Sequence, residues 1–508
     1  MKKIIQLLVI FYLLFEIQIY GFQGNTGNIV YPWRAVSSIV KSGDNFEILF
    51  NNVISNKIDS VILEGPFNRV ILTIDAINTG KFEYDTYSNA SANNRILARV
   101  PKSAPEELYN LIIKSGGEVY KSPKSVKVVR EFKTNHCFIH VSDLHVSREW
   151  VGTAENGYAK ELELLHNFIK VANIISPDFV IITGDNIHNV TYIPSDSTNS
   201  TFLPLPMSSG WLGTMTSDAR YKPSVEEKWK NYYEGSKGFL GIYGFNAPTF
   251  SVAGNHDFYG MPINDHKNKV AQWNQFCGKR VYGFSYAGTR IIAADNFLGD
   301  TLTDIPAKSP MSGLQGEVLE SFLKNSGKGS LLIMAQHRPD IIDTAFCNKN
   351  GIAILLNGHL HKPFYEYIGT TPTLSIRPGT VSKSGTKDSE GELGLFRIFR
   401  INGNTFSFTE PLKFCKDPTQ PYRKLELNLR LDYENLNDGT STNNKAVVVN
   451  QLGIDLPECN IRFVMKKGKY KVNNGVIYQI IESGNYSVID VKVDVKKEKP
   501  TEIVITKS

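Results

Sequence analysis

Five cysteines in 508 residues are too few for a disulfide scaffold, and an odd number leaves at least one thiol unpaired. Cys415 and Cys459, both in the C-terminal region, are the two that could pair. No block of consecutive Lys or Arg marks a nucleic-acid footprint, and a net charge of +6 is weak over this length. "KVDVKKEKP" near the end is mildly basic and reads as a solvated strand edge. No internal repeat is found, which argues against a solenoid. With 41% hydrophobic and 21% charged residues the chain is globular and not disordered, and its length calls for two to four domains.

The N-terminus holds the one pronounced apolar run. Lys2 and Lys3 precede "IIQLLVIFYLLF", followed by polar Glu16 and Gln18 and by Gly21. That order is expected of a signal peptide over residues 1–21, with export as the consequence and an uncleaved membrane anchor as the alternative. The run is short for a membrane span, and no cysteine follows it to carry a lipid. Asn89, Asn189, Asn199 and Asn485 stand in Asn-x-Ser/Thr triplets, surface acceptors in a eukaryotic secretory pathway.

Residues 24–132 read as short strands separated by turn signals ("NFEILFNNV", "RVILTIDA", "YNLIIKSGG"), the pattern of an immunoglobulin-like β-sandwich. From 133 to 410 the texture becomes α/β. Apolar strands such as "CFIHVSD" and "FVIITGD" alternate with helical periods such as "YAKELELLHNFIKVANII", which Pro177 stops. A Ser-, Thr-, Pro- and Gly-rich insertion at 189–235 interrupts this rhythm and is expected to be functional or disordered. Residues 411–508 again read as all-β.

Most strands of the α/β part end in Asp, Asn or His. In an α/β sheet the carboxyl ends of the strands are where ligands bind. In chain order these residues are Asp143 and His145 ("SDLH"), Asp185 ("TGDN"), Asn255, His256 and Asp257 ("GNHD"), His337 ("QHRP"), and His359 and His361 ("GHLH"). One strand delivers one or two ligands and then turns away, so several strands must converge to build a larger site. Imidazole mixed with carboxylate suits Mn, Fe, Zn or Co better than Ca or Mg. The absence of cysteine from the set argues against a structural zinc knot. His136, His140, His166 and His266 lie outside the pattern and read as structural.

The motifs "SDLH", "TGDN", "AGNHD", "QHRP" and "NGHLH", each after an expected strand, resemble the calcineurin-like metallophosphoesterase superfamily over about 133–410. The resemblance implies a two-sheet α/β sandwich and a centre of two divalent transition-metal ions (Mn, Fe or Zn). It assigns Asp143, His145 and His361 to one ion and Asn255, His337 and His359 to the other, with Asp185 bridging. His359 and His361, one residue apart, would thus serve different ions. It also makes His256 the proton donor to the leaving group, with Asp257 expected to set its tautomer. His188 stands where the purple acid phosphatase branch has a metal-bound tyrosine. It is carried as a candidate partner of the metal ligands or contact to substrate, and Arg338 and Arg377 as candidate contacts to a phosphate. The implied activity is hydrolysis of a small phosphoester, as a phosphatase or phosphodiesterase. The alternatives are a secreted nuclease or nucleotidase, and a non-catalytic module binding carbohydrate, lipid or protein over a vestigial metal site. The β domains are the expected route to a membrane or cell surface.

Overall fold

The structure is a computed structural model. It describes residues 28–508 except 53–56, 88–89, 154, 191–222, 262–265, 301–309, 328, 330, 383–391 and 420–423. The expected signal segment, Asn89, Asn199 and most of the 189–235 insertion therefore lie outside the described residues.

Two sheets pack face to face in the centre of the chain. The first is built from β1 (Asn135–Val141), β2 (Phe179–Thr183), β3 (Thr249–Val252), β10 (Leu395–Asn402) and β11 (Thr405–Phe408), in the order β3-β2-β1-β10-β11. The second is built from β4 (Tyr282–Tyr286), β5 (Thr289–Ala293), β6 (Leu331–Ala335), β7 (Ile354–Leu356), β8 (Phe364–Tyr367) and β9 (Leu374–Arg377), in the order β4-β5-β6-β7-β9-β8. In the first sheet β1, β2 and β3 run parallel, and in the second β5, β6, β7 and β9 do. Parallel strands place their carboxyl ends along one edge, and the ligand motifs follow these strands.

The strands are apolar because both of their faces are covered. Phe138, Phe179, Ile181 and Phe250 of the first sheet meet Ile291, Ile333, Ile354 and Ile376 of the second in one buried layer. Behind the first sheet lies α1 (Glu161–Ile175), which buries Leu162, Leu165, Phe168, Ile169 and Ala172. It ends where Ser176 turns left-handed (φ 58°) ahead of Pro177. Behind the second sheet, α4 (Leu314–Asn325) and α5 (Thr344–Asn350) cover Ile292, Leu332 and Leu355. Two more helices, α2 (Val225–Glu234) and α3 (His266–Cys277), precede them in the chain.

The flanking regions are β-rich. Residues 29–129 carry a four-stranded and a five-stranded sheet that share the core of Ile48, Phe50, Val61, Leu63, Ile96, Leu111 and Val126. Residues 429–507 carry a four-stranded and a three-stranded sheet. The strand Leu456–Lys466 of this region packs on α1, so its core is continuous with the layer behind the first sheet. Among the described residues no helix is long and apolar enough to cross a membrane.

All five cysteines are unpaired, so the candidate Cys415–Cys459 bridge is not formed. Cys459 Sγ instead donates to the Leu456 carbonyl at 3.7 Å, and both thiols are buried among apolar side chains. Asn189 is fully buried and its side-chain oxygen accepts from Lys228 Nζ at 2.7 Å, which removes it as a surface acceptor. Asn485 sits exposed in the turn after the strand Val476–Ser483.

Candidate metal centre

The loops after β1, β2, β3, β6 and β7 converge on one buried spot. Asp143 and His145 leave β1, Asp185 leaves β2, Asn255 and His256 leave β3, His337 leaves β6, and His359 and His361 leave β7. To turn several side chains inward within a few residues, the backbone adopts left-handed conformations. Asp143 (φ 58°), His145 (44°), Asp185 (52°), His359 (70°) and His361 (55°) all do so. Such a conformation costs about 1–2 kcal/mol for a residue with a side chain. Five in one site means that the surrounding packing holds it in a strained geometry, as functional sites often are.

Glycines make room for this convergence. Gly184, at φ 89°, lies so near His337 that a Cβ there would fall 2.4 Å from the ring Nδ1. A Cβ on Gly254 would fall 2.3 Å from Asp185 Oδ1.

Two triads result. In the first, Asp143 Oδ1 lies 3.3 Å from His361 Nε2 and 3.7 Å from His145 Nε2. In the second, Asp185 Oδ2 lies 3.3 Å from His337 Nε2, with His359 in the same group and Asn255 Oδ1 3.0 Å from His337 Nε2. The ligand atoms of each triad lie within 4.8 Å of one another. Asp185 Oδ2 is also 3.4 Å from His145 Nε2. One oxygen thus stands between the two groups.

The donor set fits divalent transition metals. Asp143 Oδ1 is buried with no well-aligned hydrogen bond among the described residues, facing His361 Nε2 at 3.3 Å, an arrangement that a cation between them would relieve. His337 Nδ1 lies 2.7 Å from the Thr183 carbonyl, which places the proton on Nδ1 and leaves Nε2 as the donor toward the centre. Burial lowers the His337 imidazole, but the charges of Asp185 and Asp143 outweigh it and hold it at about 9. Burial raises Asp143, yet His361 and then His337 hold it well below the usual carboxylate range. His359 is pushed down to about 4, by burial first and then by the charge on His337.

His256 lies beside the first triad, its ring 4.6 Å from that of His145 and nearly perpendicular to it. Its backbone N–H donates to Asp185 Oδ1 at 2.9 Å. Its Nδ1 lies 2.6 Å from the His188 carbonyl, so that carbonyl, and not Asp257, sets its tautomer. The Asp257 carboxylate accepts from the backbone of Gly254 (2.8 Å), Asn186 (3.0 Å) and Ile187 (3.1 Å), and from Asn186 Nδ2 (3.0 Å). It clamps the loop after β3 to the loop after β2. Burial, and then the charge of Asp185, push Asp257 up to about 7.

His188 is buried between His145 and His256 and belongs to the centre itself. Arg338 follows His337, but its guanidinium is held by Asp340 at 2.6 and 3.0 Å. Its charge still reaches the centre and helps lower His359. Arg377 lies at the end of β9 with its guanidinium 4.8 Å from the centre of the Phe364 ring on the edge strand β8. Among the described residues it makes no contact with a ligand side chain. Of the histidines read as structural, His136, His140 and His166 are engaged elsewhere, and the side chain of His266 lies outside the described residues. His140 Nε2 lies 2.9 Å from Thr183 Oγ1, and His166 Nδ1 accepts from the Leu240 amide. Burial, and then Arg397, push His140 down to about 3.

Helix α2 was not assigned to the site from sequence. It begins at Ser224, whose side chain accepts from the Glu227 amide, and it forms the last part of the 189–235 insertion, which is helical there. Lys228, Asn231 and Tyr232, spaced i, i+3, i+4, point at the ligand loops. Lys228 Nζ donates to the Asn189 carbonyl at 3.0 Å, Tyr232 Oη donates to Asn186 Oδ1 at 2.7 Å, and Asn231 Nδ2 reaches Ser147 Oγ at 3.4 Å. Burial pushes Lys228 down to about 7. The helical spacing of these three residues was the available signal.

Residues 138–363 match the family model described as calcineurin-like phosphoesterase. This segment is a calcineurin-like phosphoesterase domain. Among curated proteins none matches the chain. Similar solved structures include a predicted phosphoesterase of Streptococcus pneumoniae, at 16% identity over 58% of this chain and 92% of that one, with a TM-score of 0.23. GAP50, the anchor in the inner membrane complex of Plasmodium, matches at 13% identity over 58% and 87%, with a TM-score of 0.33. A putative 5'-nucleotidase of Staphylococcus aureus matches at 15% identity over 55% and 53%, with a TM-score of 0.27.

Proposed function

We propose that the protein is an exported phosphoester hydrolase that works with two divalent transition-metal ions, Mn, Fe or Zn. The observation that carries this reading is the single oxygen of Asp185, 3.4 Å from a nitrogen of one triad and 3.3 Å from a nitrogen of the other. A carboxylate so placed offsets the repulsion between neighbouring dications. Asp143, His145 and His361 would hold one ion, and Asn255, His337 and His359 the other. Bound there, the ions would supply a water acidified toward neutrality and a clamp on the phosphate oxygens.

The chain's own groups do the rest. Asp143 and Asp185 bring negative charge that a small cationic centre requires. The Thr183 carbonyl keeps His337 in the tautomer that presents Nε2. The His188 carbonyl does the same for His256, holding one proton on Nδ1, so the proton that His256 would hand to the leaving oxygen is a second one, carried on Nε2 by the imidazolium. Helix α2 and Asp257 keep the loops from relaxing out of their left-handed turns.

For export the support is the order of charge, apolar run and small residue at the N-terminus. The flanking β regions are read as an immunoglobulin-like sandwich over 24–132 and an all-β domain over 411–508, which would hold the hydrolase at a cell or membrane surface. The test is hydrolysis of an aryl monoester, an aryl diester, cyclic nucleotides and phospholipid headgroup esters by protein loaded with Mn, Fe or Zn. Turnover of at least one class that disappears on chelation is expected. A protein that binds no ion after reconstitution would be a binding module instead.

A further inference from the structure

His188 is a buried side chain for which the hydrolytic scheme states no task. It follows Asp185 by three residues, is 2% exposed, and is fixed by its backbone N–H donating to the Val146 carbonyl at 3.1 Å. Its Nδ1 lies 3.3 Å from Nδ1 of His145. Its carbonyl accepts from His256 Nδ1, and the His188 and His256 rings stack with centroids 4.7 Å apart and 26° between planes.

Proton accounting gives the pair of Nδ1 atoms a direction. His145 Nε2 is the nitrogen that faces Asp143 Oδ1 and Asp185 Oδ2. A nitrogen that offers its lone pair to a cation carries no proton, so the proton of neutral His145 is on Nδ1. Nδ1–H then donates to His188 Nδ1, which must accept through its lone pair and carry its own proton on Nε2.

We infer that His188 is a positioning residue that fixes the metal-binding tautomer of His145 through its ring and the tautomer of His256 through its carbonyl. The inference rests on the two-ion reading above. Ligand imidazoles usually find a carboxylate, a carbonyl or water in this place, and losing that partner weakens metal binding about 10–100-fold. A neutral imidazole does the same work without adding another negative charge beside Asp143 and Asp185. The residue also ties two roles together, because the chain segment that orients the ligand His145 is the one that orients the proton donor His256.

The test is a titration of the metal-stripped full-length protein with Zn²⁺ alone against a competing chelator, for wild type, His188→Phe and His188→Gln, with thermal unfolding of each metal-free protein. Glutamine can accept the same proton through Oε1, whereas phenylalanine cannot. In His188→Phe one of the two Zn²⁺ affinities is expected to fall about 10–100-fold. His188→Gln is expected to recover most of that loss, and the metal-free proteins to melt alike. Equal affinities in wild type and His188→Phe would overturn the inference, and so would a Gln variant no better than Phe. If Phe prevents folding, His188→Leu takes its place and Gln must exceed it by the same margin. A wild type that binds no Zn²⁺ overturns the two-ion reading, a result distinct from either of these.

Discussion

Asp257 and Asn186 hold each other twice, the carboxylate accepting from both the backbone N–H and the side-chain Nδ2 of Asn186 at 3.0 Å. Two further amides complete the clamp between the loops after β2 and β3. Asp257→Ala leaves four buried donors without acceptors, at about 1–3 kcal/mol for each and less than additively. A large drop in melting temperature with loss of bound metal is expected. A variant that melts like wild type and is merely slow would restore the tautomer-setting role to Asp257.

Asp185→Asn keeps the shape of the side chain and removes its charge. Because one oxygen serves both triads, the prediction is loss of both ions and of turnover together, read by elemental analysis of the dialysed protein. Two ions retained at wild-type affinity would show that Asp185 does not bridge.

His256→Ala removes no proposed ligand, only a ring that lies against His145. Both ions are expected to stay, while kcat on an ester with a poor leaving group falls about 10²-fold or more, as for loss of a general acid. With a very good leaving group, which needs no proton, the loss should shrink. Equal losses on both substrates would argue against proton donation.

Gly254→Ala puts a methyl group into space held by Asp185, 2.2 Å from its amide nitrogen and 2.3 Å from Oδ1. The carboxylate has to move by about 1 Å, and a misplacement of that size costs about 10²-fold in kcat/KM. Comparison of kcat/KM with far-ultraviolet dichroism separates this local effect from unfolding. An active Ala variant would mean that the loop yields freely.

Glu161 opens α1 and accepts from the amides of Arg148 and Glu149, just beyond the first ligand loop. Burial, eased by hydrogen bonds and reinforced by Glu149, pushes its carboxyl up from 4.5 to about 8. Between those values the unfolded chain releases a proton that the folded chain keeps. The contribution of Glu161 to stability is therefore full below about pH 4.5 and is lost as the pH rises through about 8. Glu161→Gln should flatten that part of the curve of melting temperature against pH; an unchanged slope between pH 5 and 8 would rule the contribution out.

The residues of the centre were legible in the sequence because each is placed by a local rule. An apolar run with both faces covered becomes a parallel strand, and the polar residue that ends it lands on the ligand edge of the sheet. Five such endings in order therefore put Asp143, His145, Asp185, Asn255, His256, Asp257, His337, His359 and His361 at one edge without knowledge of the sheet order, and only the family resemblance selects ligands among them.

What the tertiary structure decided are the relationships between residues distant in sequence. Asp257 is next to His256 in sequence, yet its carboxylate serves amides on another loop, because the β3 turn points it toward β2. Arg377 stands in a promising motif, yet it covers Phe364, because β9 pairs with the edge strand β8. Lys228 and Tyr232 reach the ligand loops only because α2 folds back onto them. The sequence by itself determined which side chains end up at the edge of the sheet. Burial and packing across the chain decided what each one touches there, since hydrogen-bond partners are chosen by proximity in space and not by spacing along the backbone.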